Sequence, residues 1–346
     1  MSKTAVVLFN LGGPDSLAAV RPFLFNLFND AAIISQQQPA RWLIAQLIAT
    51  RRAPIARAIY AKIGGSSPIR ANTEAQARAL EQELGPGYRV FIAMRYWPPL
   101  SDETVAAVAE WRPDEIVLLP LYPQFSTTTT ASSLAAWHAE AASGGLAVFN
   151  RVLCCYPTEA GFIAALAAGI RAVLAVWPRG ERRRILFSAH GLPEKIVATG
   201  DPYPWQVERT VAALRRALDE PELDSVVCYQ SRVGPLAWIG PSTDHEIRRA
   251  AGEKLGLIVV PVAFVSEHSE TLVELDRDYR KLAAESGVPA YERAATVGTT
   301  PAFIAGLARL VRHGLARGRP LASGDGKRRC SPPQRGCPMA PTVAGR

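Results

Sequence analysis

Seven short runs of apolar residues recur along the chain: Ala5–Asn10, Arg89–Met94, Glu115–Leu121, Ala147–Val152, Arg184–Ala189, Ser225–Gln230 and Leu257–Phe264. None alternates cleanly between apolar and polar positions. Runs that are apolar on both faces predict buried parallel strands rather than half-exposed ones. Between them lie stretches whose apolar positions recur at helical spacing, such as Asn72–Leu84, Asp102–Trp111, Trp205–Leu218 and Thr271–Ser286. Strands alternating with helices predict an α/β fold. The layout of Val7–Pro14 is echoed by Ile185–Pro193, each a strand running into a Gly/Pro turn. That echo predicts two similar lobes, residues 1–150 and 151–300, each a mainly parallel sheet flanked by helices, with a cleft between them. A last helix covers 301–316. The tail, 317–346, is rich in Gly, Pro, Arg and Ser, and little order is expected of it.

Chemistry gathers at strand ends, where open α/β sheets bind their ligands. The run Ile185–Ala189 stops at His190, and Gly191 and Pro193 break it. Alone, His190 could equally be a structural imidazole satisfied by a loop carbonyl. The run Leu257–Phe264 leads into Glu267, His268 and Glu270 at the start of a helix. Glu270 alone could be a first-turn carboxylate favoured by the helix dipole. Acid and imidazole groups at two strand ends of one sheet are better explained by a working site.

The segment Ala31–Tyr60 breaks the pattern. It mixes Ile33, Ile34, Trp42, Leu43, Ile44, Leu47 and Ile48 with Arg41, Arg51, Arg52 and Arg57. Two readings fit: an amphipathic core helix, or an apolar lip that holds a flat ligand or rests on a membrane.

Composition narrows the class. The 346 residues are comfortable for two domains. With 48% hydrophobic and 20% charged residues the usage is globular. Five cysteines in a chain of this size do not form a disulfide framework. The first apolar run is short and ends in Gly12-Gly13-Pro14, unlike an export signal. A reducing cytoplasm is the implied compartment. The net charge of +8 suits an anionic ligand or membrane surface. Arg182–Arg184 and Lys327–Arg329 read as solvated loop and tail, so nucleic acid is not expected as a partner.

Longer motifs carry a resemblance. Leu186–Pro193 with Gly200-Asp-Pro-Tyr-Pro204, then Ser266–Leu272 with Glu274-Leu-Asp276, are similar to the ferrochelatases. So are Arg51–Pro54 with Tyr60, Ile63–Ile69, Arg95-Tyr96, Tyr122–Ser126, Gln230–Pro235 and Gly240–Asp244. These matches are spread in order from Val7 to Val311. The resemblance implies two Rossmann-like lobes and a last helix packing back on the first. It implies a lyase that inserts Fe(II) into protoporphyrin IX to give protohaem. Alternatives are a chelatase of coproporphyrin or another tetrapyrrole, or a non-catalytic haem- or metallophore-binding protein. Porphyrin and Fe(II) are the expected substrates, and no cofactor is expected to be needed for catalysis. A peripheral position on the inner membrane face is expected from the apolar lip and an insoluble substrate, and other haem-pathway enzymes are expected partners.

Porphyrin metallation must remove two pyrrole protons and accept a partly dehydrated Fe(II). Imidazole is a good base near neutral pH, and Fe(II) accepts imidazole nitrogen and carboxylate oxygen. His190 and Glu270 supply one of each and are the expected catalytic and metal-facing pair. Tyr60, Tyr96 and Tyr122 offer flat bodies with polar tips for a macrocycle rim. Arg52 and Arg95 offer forks that match propionates, and Ser67 a further hydrogen bond. The resemblance places the counterparts of Arg52, Tyr60 and Ser67 at the porphyrin. Glu274, Asp276 and Asp278 continue the acid series, as a proton or metal route or as a solvated face. Many relatives carry a [2Fe-2S] cluster. Thr127 stands where animal members place an internal ligand, whereas Cys154 and Cys155 with Cys330 and Cys337 would complete a microbial set.

Overall fold

The computed structural model describes residues 2–340 other than Arg179, Pro221, Val233, Arg329 and Pro332, so part of the expected tail, 341–346, lies outside the described residues. Nine strands occur among them: β1 Thr4–Asn10, β2 Tyr88–Met94, β3 Glu115–Pro120, β4 Asn150–Leu153, β5 Arg183–His190, β6 Ser225–Gln230, β7 Gly256–Pro261, β8 Tyr291–Arg293 and β9 Leu321–Ala322. They form two sheets, in the orders β2-β1-β3-β4-β9 and β6-β5-β7-β8. Every ladder in both is parallel. The fold is α/β with two parallel-sheet lobes, as the apolar runs predict. β1 and β7 are buried at every position, which is why they read as unbroken apolar runs.

The chain divides into two compact units. The first holds residues up to Tyr122, Ser126–Cys154 and Ala308–Ala322; the second holds Pro123–Phe125, Cys155–Leu307 and the residues from Ser323 on. The last helix, Pro301–Ala316, is therefore shared between them. The tail departs from expectation. Leu321 and Ala322 extend the first sheet as β9, because Val152 N–H donates to Pro320 O at 2.8 Å and Cys154 N–H to Ala322 O at 2.9 Å. Gly336 N–H donates to Gly200 O at 3.0 Å, and Cys330 and Cys337 are buried. Backbone pairing, which composition does not report, orders this stretch.

The first unit is pinned by a buried carboxylate. Asp30 accepts from Tyr96 OH at 2.8 Å, from Ala32 N–H at 2.8 Å and from the Ser132 hydroxyl, and pairs with Arg95 Nη2 at 2.9 Å. Burial alone would raise its pKa. The hydrogen bonds from Ser132 and Ala32, the Arg95 charge and the Tyr96 hydroxyl outweigh it and hold the carboxyl below its ordinary range. A depressed carboxyl stabilises the fold above its unfolded pKa, about 3.9, and loses that contribution as pH falls through the folded value. Asp30→Asn should therefore cost about 3 kcal/mol at pH 7. The gap to wild type should narrow below about pH 4. Urea melts of both proteins at pH 7 and pH 3 test this; an equal gap at both would refute it.

Candidate active site

His190 is the last residue of β5. Its Nδ1 lies 2.6 Å from Gly191 O. A carbonyl only accepts, so Nδ1 carries a proton, and Nε2 is the ring nitrogen turned toward Glu270. Gly191 is needed there: a Cβ would stand 2.9 Å from Gln230 O, to which Gly191 N–H donates at 2.8 Å.

Beyond β7 the chain turns and opens a helix at Glu270. His268 N–H donates to Thr271 Oγ1 at 3.0 Å. His268 Nδ1 lies 3.1 Å from Ser266 O, which again leaves Nε2 free. Glu270 sits between the two rings. Its Oε2 is 3.9 Å from His190 Nε2 and its Oε1 is 3.9 Å from His268 Nε2. These separations exceed a hydrogen bond. They suit two ligands sharing one small cation, each bond being about 2.1 Å. Among the described residues, no group of three or more His, Cys, Asp or Glu side chains could hold a metal ion.

The helix itself departs from expectation. Glu270–Tyr279 is a π-helix, followed by an α-helix from Arg280 to Ser286. Such wide turns are uncommon and recur at functional sites. They sort the acids that the sequence shows as one series. Asp276 takes Arg293 bidentately at 2.6 and 2.8 Å, and Glu267 takes Arg293 Nη1 and Thr296 N–H, both at 3.0 Å. Burial alone would raise Glu267, but Arg293 and these hydrogen bonds hold it below its ordinary range. Glu267 and Asp276 thus fasten the helix to β8. Glu274 is not on a solvated face. It accepts from Ser231 N–H at 2.8 Å, Gln230 Nε2 at 3.1 Å and Tyr279 OH at 3.1 Å. Burial pushes its carboxyl above the ordinary range, and the neighbouring Glu270 adds to this. Glu270 and Glu274 face each other across the Ser231 hydroxyl.

The residues expected at a porphyrin rim in the first unit fare differently. Arg95 pairs with Asp30 and, through Nε, donates to Ser132 at 2.7 Å. Tyr96 is 1% exposed with its hydroxyl on Asp30, so it is a core residue. Arg52 is half-buried, its guanidinium 5.8 Å from the Phe28 ring. Tyr60 packs with Val20, Phe23 and Ala53. Ser67 N–H donates to Pro14 O at 2.7 Å, and a Cβ on Gly13 would strike Ser67 Cβ at 2.6 Å. Tyr122 packs against the core around Phe9 and Trp137, and burial raises its hydroxyl. The segment expected as core helix or lip is a helix over Ala40–Ala61. Its small Ala45, Ala49 and Ala53 face inward, while Trp42, Leu43, Leu47 and Ile55 are 45–67% exposed. Ser231 was overlooked at the sequence level, although it lies in the Gln230–Pro235 motif.

An imidazole facing a carboxylate at the strand ends of a parallel α/β sheet suits one class of protein: a metal-handling enzyme of the chelatase kind. The fold agrees with that of the sirohydrochlorin chelatase SirB from Bacillus subtilis subspecies spizizenii, solved in complex with cobalt. The TM-score is 0.54 at 12% identity, over 91% of this chain and 97% of that one. The ferrochelatase family model matches residues 3–315. A ferrochelatase of Caulobacter vibrioides (strain NA1000 / CB15N) is 53% identical over 341 residues, 97% of each chain. That of Phenylobacterium zucineum (strain HLK1) is 54% identical over 320 residues, 91% of this chain and 92% of its own. The chain belongs to the ferrochelatase family: it is a lyase, a metal chelatase of haem biosynthesis.

Proposed function

We propose that the porphyrin is protoporphyrin IX, with His190 as proton acceptor and Glu270 as the group that meets Fe(II). In the reaction two pyrrole N–H bonds break, the four ring nitrogens bind iron, two protons leave and the metal stays ferrous. The observation that carries the assignment is the bond from His190 Nδ1 to Gly191 O, which leaves Nε2 open toward Glu270. Glu270, whose ion-pair neighbours among the described residues are the imidazoles of His190 and His268 and no arginine or lysine, can take a divalent ion, and so loose a site can release it to the macrocycle. In the first unit, Arg52 is the proposed partner of a propionate, with Tyr60, Ser67 and Tyr122 as further porphyrin contacts. With Arg95 committed to Asp30, a substrate with few propionates is favoured over coproporphyrin.

His190→Ala should fold normally and lose about 10²–10⁴-fold in turnover. Glu270→Gln should cripple metallation while bound porphyrin remains. Anaerobic spectrophotometry with Fe(II) and each porphyrin measures both. Wild-type turnover in a folded His190→Ala protein would refute the base. A higher rate with coproporphyrin would reassign the substrate.

The Ala40–Ala61 helix supports a peripheral membrane site on the cytoplasmic side, where haem-pathway enzymes could pass an insoluble porphyrin. Among the described residues no helix is long and apolar enough to cross a membrane. Bulky apolar side chains point outward beside exposed Arg51 and Arg57, a pattern suited to anionic lipid. Replacing Trp42, Leu43 and Leu47 with Ser should reduce co-sedimentation with anionic liposomes and leave the melting temperature within about 3 °C of wild type. A larger loss of stability would make them core.

A [2Fe-2S] cluster is a further part of the proposal. What supports it is a pair of tail thiols: the Cys330 thiol donates to Cys337, which is drawn down to about 6 by that bond, with Met339 N–H and Arg328 assisting. Cys155 lies within electrostatic range of Cys330, and Gln206 Nε2 donates to Cys330 Sγ at 3.3 Å. Cys155, Cys330 and Cys337, all of the second unit, would hold the group, and it would tie the tail in place. Anaerobically purified protein should be coloured and contain acid-labile sulfide. Colourless, sulfide-free protein would dismiss the cluster.

A further inference from the structure

We propose that Ser231 is a positioning residue that fixes the Glu270 oxygen facing His190, and so governs the metal step rather than porphyrin binding. The proposal rests on the reading of Glu270 given above. Three observations carry it.

The first is backbone conformation. Ser231 has φ +61°, in the left-handed region. A residue with a Cβ is strained there by about 1 kcal/mol, whereas glycine adopts it freely. A serine at this turn costs stability, so its side chain has to contribute something that glycine would not.

The second is what that side chain touches. Ser231 Oγ is 3.0 Å from Glu270 Oε2 and also contacts Glu274 Oε2. Glu270 Oε2 is the same oxygen that stands 3.9 Å from His190 Nε2. The left-handed turn also aims Ser231 N–H at Glu274 Oε1, 2.8 Å away. One residue therefore grips both carboxylates of the π-helix.

The third is how the grip is anchored. Gln230 follows the same strand register and donates to Glu274 at 3.1 Å, while its own Oε1 accepts from Ser188 at 2.8 Å. Ser188 lies on β5, two residues before His190. The imidazole and the carboxylate are thus set in one frame, β5 to β6 to helix, and the Ser231 hydroxyl is its last link to Glu270. Without the hydroxyl, Glu270 is free to rotate away from the approaching ion.

The test compares Ser231→Gly with Ser231→Ala, alone and combined with Glu270→Gln. Gly relieves the left-handed strain and keeps the N–H bond to Glu274; Ala keeps the strain; both remove the hydroxyl. Ser231→Gly should melt at or above wild type yet lose about ten- to a hundredfold in kcat/KM for Fe(II). The porphyrin KM should stay within about twofold. Ser231→Ala should lose activity equally. Adding either to Glu270→Gln should have little further effect, because the hydroxyl acts through Glu270. Wild-type Fe(II) kinetics in both Ser231 variants, with Glu270→Gln still crippled, would overturn the role of Ser231 alone. So would a defect confined to porphyrin KM. Full activity of Glu270→Gln would instead overturn the underlying reading of Glu270.

Discussion

The second unit depends on the register of β5 between its neighbours. β5 pairs with β6 up to His190 opposite Gln230, but with β7 only up to Ser188 opposite Pro261. On one side the imidazole is held by a continuing ladder. On the other, β7 has already ended, and its chain is free to turn back with His268 and Glu270. A one-residue slip would send His190 to the opposite face of the sheet. The buried apolar residues of β5, β6 and β7, among them Leu186, Cys228, Leu257 and Val259, set that register, so the position of the chemistry is decided by packing.

What the sequence made legible follows from this. The long strands were readable because burial on both faces leaves an unbroken apolar run. β8 and β9 are three and two residues long, too short for any period to show. The Gly/Pro turn after β5 marked His190, and the helix start after β7 marked Glu270. The π register was not readable, since i→i+5 bonding leaves no distinct spacing in the residues that adopt it. The Arg95–Asp30 pair was not readable for a definite reason: a guanidinium fork fits Asp30 as well as a propionate, and the partner lies 65 positions earlier in the chain. The Tyr96 hydroxyl meets the same carboxylate. Ser231 is the converse case. It lies inside a recognised motif, but its left-handed backbone is invisible in sequence.

Electrostatics separates structural from chemical acids in a way that composition does not. Glu267 and Asp276 share Arg293, which donates three bonds to their oxygens, and Thr296 N–H adds one more to Glu267. Glu270 and Glu274 are instead met by hydroxyl, amide and backbone donors. A carboxylate paired with arginine has its charge spent. One held by neutral donors is oriented yet still anionic toward an incoming cation.

This division also bears on how a metal is given away. A resident metal is commonly closed in by four ligands, and such closure would oppose transfer. Here Glu270 is placed by groups that are not themselves ligands, so geometry is supplied without affinity. The chain as a whole carries +8, which favours an anionic macrocycle over a free cation. With the proposed roles, Fe(II) would be drawn to the local patch that Glu270 and Glu274 make. On that proposal, opposite signs at the scale of the chain and at the scale of the site would let one protein attract both reactants, and a weak local hold on the metal would favour its transfer.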